Sequence, residues 1–284
     1  MVNINTIKTM HKNVPITIIE AKPKWLFFDF KELKEYRDLI FFLVWRNIKV
    51  LYAQTILGFL WAILQPLLQI IIFTIIFGKL AKLPTDGVPY FLFSTVAIVP
   101  WTYMSQVMTL SSLSLVQEQN MLGKIYFPRV LFPLTPTLAK LVDFGISMII
   151  IFGVSIYYRV FPTFNLLLFP LLVVIMMSVA GGVGLWTSAM AIRFRDVKHA
   201  MPFVVRMLMY TAPVVYSASS IPRKYRIIYS LNPIVGVIEG YRACLLGSPI
   251  PWLYIWPGMI TAIILLLSGT LYFKRMERVF ADVI

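Results

Sequence analysis

The chain has 284 residues, 59% of them hydrophobic and 13% charged, with a mean hydropathy of +0.81, outside the range of soluble domains. Several separate apolar stretches are long enough to cross about 30 Å of hydrocarbon, which favours roughly five to eight membrane spans over one large soluble domain. The formal charge of +14 comes with no RNA- or DNA-binding motif, so it reads as cytoplasmic flanks facing anionic lipid headgroups, not as a nucleic-acid surface.

Residues 1–30 are polar and mixed, with Pro15 and Pro23, and read as an irregular cytoplasmic tail. They contain no apolar core ahead of a small-residue cleavage site, so no cleavable signal peptide is expected and the first span directs insertion. Residues 31–52 follow as an amphipathic segment. "KELKEYRDLIFFLVWRNIKVL" has a charge-rich first half, and Leu39, Phe42, Leu43 and Trp45 supply apolar anchors. Such a helix lies along the inner membrane surface with Arg46 and Lys49 near lipid phosphates. A helix packed directly on a span is the alternative.

A spanning domain over 53–284 is expected to hold six helices. Span 1, about Ile56–Phe77, carries Gln65, Pro66 and Gln69. Amides are costly in lipid, so Gln65 and Gln69 are placed on an inner face, a simple proline kink being the other reading. Span 2 is expected at Tyr90–Leu110 and span 3 at Val130–Tyr157, where Lys140 and Asp143 share a helix face and can neutralise each other, read first as a structural ion pair near the cytoplasmic end, with part of a functional face as the alternative. Span 4, Phe164–Ile192, contains Ser178–Gly184, small residues suited to close helix packing. "RFRDVKH" (193–199) reads as a polar turn. Span 5 is expected at Met201–Val215, with Arg206 facing protein or a wet cavity, or snorkelling. The segment at about 218–250 fits two short re-entrant helices separated at Asn232-Pro233, with Gly236 and Gly240 for close packing and Glu239 paired with Arg242. Span 6, Leu253–Phe273, leads into a short basic tail, 274–284.

With both ends inside, 17 of the lysines and arginines fall on the inner side and seven on the outer, Lys140 and Arg206 lying within spans. That bias favours cytoplasmic termini.

The chemistry of an enzyme is missing from the sequence. His11 and His199 are far apart, Cys244 is the single cysteine, and neither HExxH nor CxxC occurs, which argues against a zinc site and a disulfide framework. No G-x-x-x-x-G-K-[ST] loop and no G-x-S-x-G elbow is present. The 12 acidic residues are dispersed, unlike the acidic pairs that hold a metal-bound sugar donor. A conduit or anchor fits better. The 21 Phe, 14 Tyr and 7 Trp serve either as interfacial belts or as pore lining against sugar rings.

Five phrases in order, "YRDLIFFLVWRNIKVLYAQTILGFLWAILQPLL" (36–68), "NMLGKIYFPRVLFPL" (120–134), "RFRDVKHAMPFVVRMLMYTAPVVYS" (193–217), "YSLNPIVGVIEGYR" (229–242) and "FKRMERVFADVI" (273–284), resemble the permease subunit of bacterial polysaccharide exporters. These are type-2 ABC exporters moving O-antigen, teichoic acid or capsule chains. The resemblance implies an all-α membrane protein of the inner membrane that forms a homodimer with two ABC ATPase subunits and moves polysaccharide on undecaprenyl diphosphate. ATP and Mg would belong to the partner, with no cofactor on this chain. It implies ATPase coupling at Glu118, Asn120, Met121, Lys124, Tyr126, Pro128 and Arg129, with a second contact at Arg193, Arg195 and Asp196. Arg46 and Lys49 become candidates for the lipid-phosphate admission side. Tyr90, Phe91, Trp101, Tyr103 and Tyr210 become channel or sugar-facing candidates. Tyr225, Asn232, Pro233, Glu239 and Arg242 become the re-entrant outer gate. The ends of the chain look most like O-antigen permeases, with teichoic-acid and capsule permeases as alternatives; a small-amphiphile exporter and a membrane glycosyltransferase are the remaining readings.

Overall fold

Among the described residues of the computed structural model, 34–53, 55–119 and 128–277, the secondary structure is helical and no strand occurs. Helix α1 (Arg37–Tyr52) precedes α2 (Trp61–Phe73), which runs on as a wider π-helical turn over Thr74–Leu80. Then come α3 (Tyr90–Gln117), α4 (Leu131–Tyr157), α5 (Phe169–Arg193), α6 (Val197–Thr211), the short α7 (Arg226–Ser230), α8 (Pro233–Leu246) and α9 (Trp252–Glu277).

Five segments are long and apolar enough to cross a bilayer: Gly58–Leu80, Tyr90–Gln117, Leu131–Tyr157, Phe164–Arg193 and Trp252–Glu277. They correspond to the expected spans 1 to 4 and 6. The second runs seven residues beyond the expected end at Leu110. The expected fifth span differs more. Helix α6 has 15 residues, about 22 Å of rise, and falls short of a full crossing on its own. It starts inside the anticipated polar turn and stops where Ala212 turns extended (ψ 153°), the conformation that a following proline, Pro213, imposes.

Helix α3 is the central post, packed against α4, α5, α6 and α8. It is the least hydropathic of the five long segments and the most buried. Hydroxyls that lipid would reject are satisfied inside protein: Ser111 Oγ donates to Pro133 O at 2.8 Å and the Tyr103 hydroxyl to Thr137 O at 2.8 Å. Pro66, Pro100 and Pro136 are all absorbed within continuous helices.

The small-residue run of α5 packs as anticipated. A Cβ on Gly182 would stand 2.8 Å from the Leu266 backbone nitrogen, and one on Gly184 2.6 Å from Ser111 Cβ. Only glycine lets α5 approach α9 and α3 this closely.

The break expected at Asn232-Pro233 falls between α7 and α8. Helix α8 starts at Pro233 with its pre-set φ, and the Asn232 side chain accepts from Ile234 N at 3.1 Å. Gly236 sits where a Cβ would meet Tyr254 O at 2.5 Å, so α8 lies directly on the backbone of α9.

Candidate translocation path

Helices α2, α3, α4 and α6 surround a cavity of about 930 Å³. Gln65 and Gln69 of α2 line it, together with Trp101, Tyr103, Tyr210 and Arg206. Trp101 and Tyr103 are nearly buried within the core, whereas Tyr210 is more than half exposed. Gln106 Nε2 donates to Gln65 Oε1 at 3.5 Å, and Gln69 Nε2 reaches Met209 Sδ at 3.6 Å. Tyr90 and Phe91 are not part of this lining. The Tyr90 hydroxyl donates to Val215 O at 2.8 Å, fixing the chain after α6 to the start of α3.

Sequence reasoning missed the polar stripe of α3. Thr102, Ser105, Gln106 and Thr109 all line the cavity, and their three- and four-residue spacing places them on one helix face. That spacing inside an apolar helix was the available signal. Amides, hydroxyls and aromatic rings together make a surface that hydrogen-bonds and stacks without demanding one fixed arrangement of partners.

A second cavity, about 190 Å³, lies between α1, α3 and α4. Arg46 and Glu118 are among its walls and form an ion pair with each other. The residue expected at lipid phosphate and the first residue expected in ATPase coupling therefore meet. Lys49 is exposed on α1. Leu43 on the opposite face is fully buried among Leu115, Leu131, Phe132 and Phe273, while Phe41, Phe42 and Trp45 stand exposed. Helix α1 is thus packed on the bundle along one face and exposes apolar side chains on another.

The two cavities share Tyr52, Leu110, Lys140 and Asp143 in their walls. Lys140 Nζ lies 2.7 Å from Asp143 Oδ2, confirming the ion pair read from the spacing. The other carboxylate oxygen accepts the Tyr52 hydroxyl, and the Tyr52 ring stacks on Phe59 at 4.2 Å. No sequence signal singles out Tyr52, because its partner is 91 residues away.

Of the coupling candidates, Asn120, Met121, Lys124 and Tyr126 lie outside the described residues. Both flanks of that stretch are tied down: Glu118 to Arg46, and Arg129 to the last helix, its backbone N–H donating to Glu277 Oε1 at 3.4 Å and its Nη1 to Glu277 O at 3.2 Å. Pro128 opens the approach to α4. Arg193, Arg195 and Asp196 form an exposed turn between α5 and α6, with the Arg193 guanidinium 5.4 Å from the Phe194 ring centre.

At the α8 end, Arg242 is buried and pairs with Glu239 at 2.7 Å. It also donates to Tyr216 O (3.4 Å) and Val214 O (3.3 Å), and its guanidinium lies 3.6 Å from the Phe93 ring centre. Glu239 additionally accepts from Ala218 N at 3.2 Å. Asp86 receives the hydroxyls of Ser217 and Ser219. Tyr225 is exposed beside Lys224, whose ammonium lies 5.7 Å from its ring centre. The five residues expected at the re-entrant gate thus divide into a capped break (Asn232, Pro233), a buried clamp (Glu239, Arg242) and an exposed ring (Tyr225).

The sequence profile of the ABC-2 type transporter family matches residues 38–246, which takes in α1, both cavities and α8. The chain belongs to that family. It is therefore a membrane permease subunit, and ATP hydrolysis is not among its activities. The permease is 26% identical over 223 residues to the O-antigen export system permease protein RfbA of Myxococcus xanthus, covering 78% of this chain and 85% of that one. It is 25% identical over 248 residues to the protein of the same name from Klebsiella pneumoniae, with 87% and 95% covered. Identity to the polysialic acid transport protein KpsM of Escherichia coli is 24% over 245 residues, with 82% and 91% covered. Among the permease's described residues, no group of three or more His, Cys, Asp or Glu side chains is arranged to hold a metal.

Proposed function

We infer that the chain is the membrane-spanning subunit of an exporter that works with a separate ATPase and carries a surface polysaccharide, O-antigen, across the inner membrane on undecaprenyl diphosphate. The cavity between α2, α3, α4 and α6 carries this reading. It is large, and Gln65, Gln69, Thr102, Ser105 and Gln106 bring amides and hydroxyls, beside the rings of Trp101 and Tyr210, into an otherwise largely apolar lining. Relatives named for O-antigen export match over most of their own length, which supports the cargo class.

The channel is completed by a second copy. Gln65 and Arg206 line the cavity and are exposed on this chain, and such groups need protein or water in a bilayer. The protein resides in the bacterial inner membrane with both termini cytoplasmic. Helix α6 with the chain that follows it serves as the fifth crossing, and α7–α8 form the re-entrant outer mouth. Two ATPase subunits, binding ATP and Mg, dock on the cytoplasmic segment between Glu118 and Arg129 and on the Arg193–Asp196 turn. The ties of Glu118 to Arg46 and of Arg129 to Glu277 support that placement, since motion of the segment reaches α1 and α9 directly.

Similarity to a polysialic acid transport protein favours one second reading, a capsule exporter. One experiment separates these. The tagged chain is purified gently from its native membrane and its partners and glycolipids are identified by mass spectrometry. An ABC ATPase at one copy per permease, with a polyprenyl-linked O-antigen chain, is the expected result. A capsule glycolipid selects the second reading, and an intact permease with no ATPase overturns both.

A further inference from the structure

We propose that Lys140 is a phosphate-binding residue of the cargo path, screened by Asp143 and latched by Tyr52 until the cargo headgroup arrives. The inference rests on the export reading above and deepens it.

The small cavity is bounded by two cations, each held by a carboxylate: Arg46 with Glu118, and Lys140 with Asp143. Its volume of about 190 Å³ has room for a headgroup and none for a polymer. Lys140 and Asp143 lie in the wall shared with the large cavity, so a group bound at Lys140 is at the threshold of the channel.

A buried ion pair is a poor means of stabilising a helix contact, because desolvation offsets its attraction. The side chains of Lys140 and Asp143 are only 9% and 13% exposed. Unlike Arg242, which also donates to two backbone carbonyls, Lys140 has no second hydrogen-bond partner among the described residues to offset that cost. The Lys140 ammonium has three hydrogens and one acceptor, Asp143, among the described residues, which leaves donors for an anion. Asp143 is fully engaged, one oxygen on Lys140 and the other on Tyr52. Tyr52 is the last residue of α1, directly ahead of the turn into α2. Movement of α1 withdraws its hydroxyl, loosens Asp143 and frees Lys140 for a phosphate, which lysine binds as a point charge.

The ligand chemistry is a phosphate or diphosphate on a lipid, either the polyprenyl diphosphate of the cargo or a bilayer phospholipid. The complete permease–ATPase complex in phosphatidylcholine nanodiscs is titrated with 32P-labelled undecaprenyl diphosphate, with and without phosphatidylglycerol as competitor. The neutral pair Lys140→Gln/Asp143→Asn weakens retention by about tenfold or more, since a charge-assisted hydrogen bond is lost. Tyr52→Phe keeps the ring stack on Phe59 and tightens binding about three- to tenfold, because the latched state no longer competes. Asp143→Asn alone also tightens it. A merely structural role would move all three variants the same way, and that result overturns the proposal, as does unchanged binding by the assembled neutral pair or by Tyr52→Phe. Equal displacement by phosphatidylglycerol overturns the assignment to the cargo. Wild-type complex that retains no labelled lipid overturns the export reading itself, a separate outcome.

Discussion

Two ion pairs with the same spacing sit in different parts of this permease. Lys140–Asp143 and Glu239–Arg242 are both three residues apart on a helix, and both close at 2.7 Å. Their surroundings are opposite. Arg242 is packed under Phe93 and against two backbone carbonyls, and neither of its pair lines either cavity. Lys140 and Asp143 line both. The first pair is a clamp that fixes α8 to the chain after α6; the second stands in the wall shared by the two cavities. Spacing creates an ion pair, and its neighbours decide what the pair is for.

The largest expected effect comes from breaking the clamp. Arg242→Met leaves the largely enclosed Glu239 carboxylate with Ala218 N but without its counter-charge and costs about 3–5 kcal/mol, read as a lowered unfolding temperature with a thiol-reactive dye on the buried Cys244. Lys140→Met in the same assay costs about 1–2 kcal/mol, because cavity water rehydrates Asp143. Equal losses would show that Lys140–Asp143 is a clamp of the same kind. Glycines sharpen the comparison further. Gly236→Ala pushes a Cβ to 2.5 Å from Tyr254 O, a backbone atom that cannot swing aside, and destabilises by about 1–3 kcal/mol. Gly145→Ala, on the helix of Lys140, meets nothing within 4 Å and stabilises by about 0.5–1 kcal/mol through helix propensity. The α8 end is thus expected to tolerate no added atoms, while α4 beside the cavities accepts them.

Features that depend on neighbours within one helix turn were legible in the sequence. The Lys140–Asp143 and Glu239–Arg242 pairs, the break at Asn232-Pro233 and the glycine-mediated packing of α5 all follow from local spacing and backbone chemistry. Features that join distant segments were not. Tyr52 meets Asp143 across 91 residues and Arg46 meets Glu118 across 72, and no periodicity encodes either. The facing of aromatic residues divided along the same line. Trp101, Tyr103 and Tyr210 line the large cavity, while Tyr90 is held against Val215 O, because hydropathy does not distinguish a ring against protein from one against a pore. The length of α6 was misjudged for a local reason: Pro213 ends the helix early, though the apolar pattern continues beyond it.

The path proposed for the polysaccharide is the large cavity. A photoreactive amino acid at Thr102, within that cavity, is the direct probe, in proteoliposomes containing the permease, its ATPase and lipid-linked O-antigen. During ATP hydrolysis the account predicts a cross-link from position 102 to the sugar chain, and none from a probe at Ile149 on the exposed face of α4. Cross-linking at Ile149 with none at 102 would contradict it.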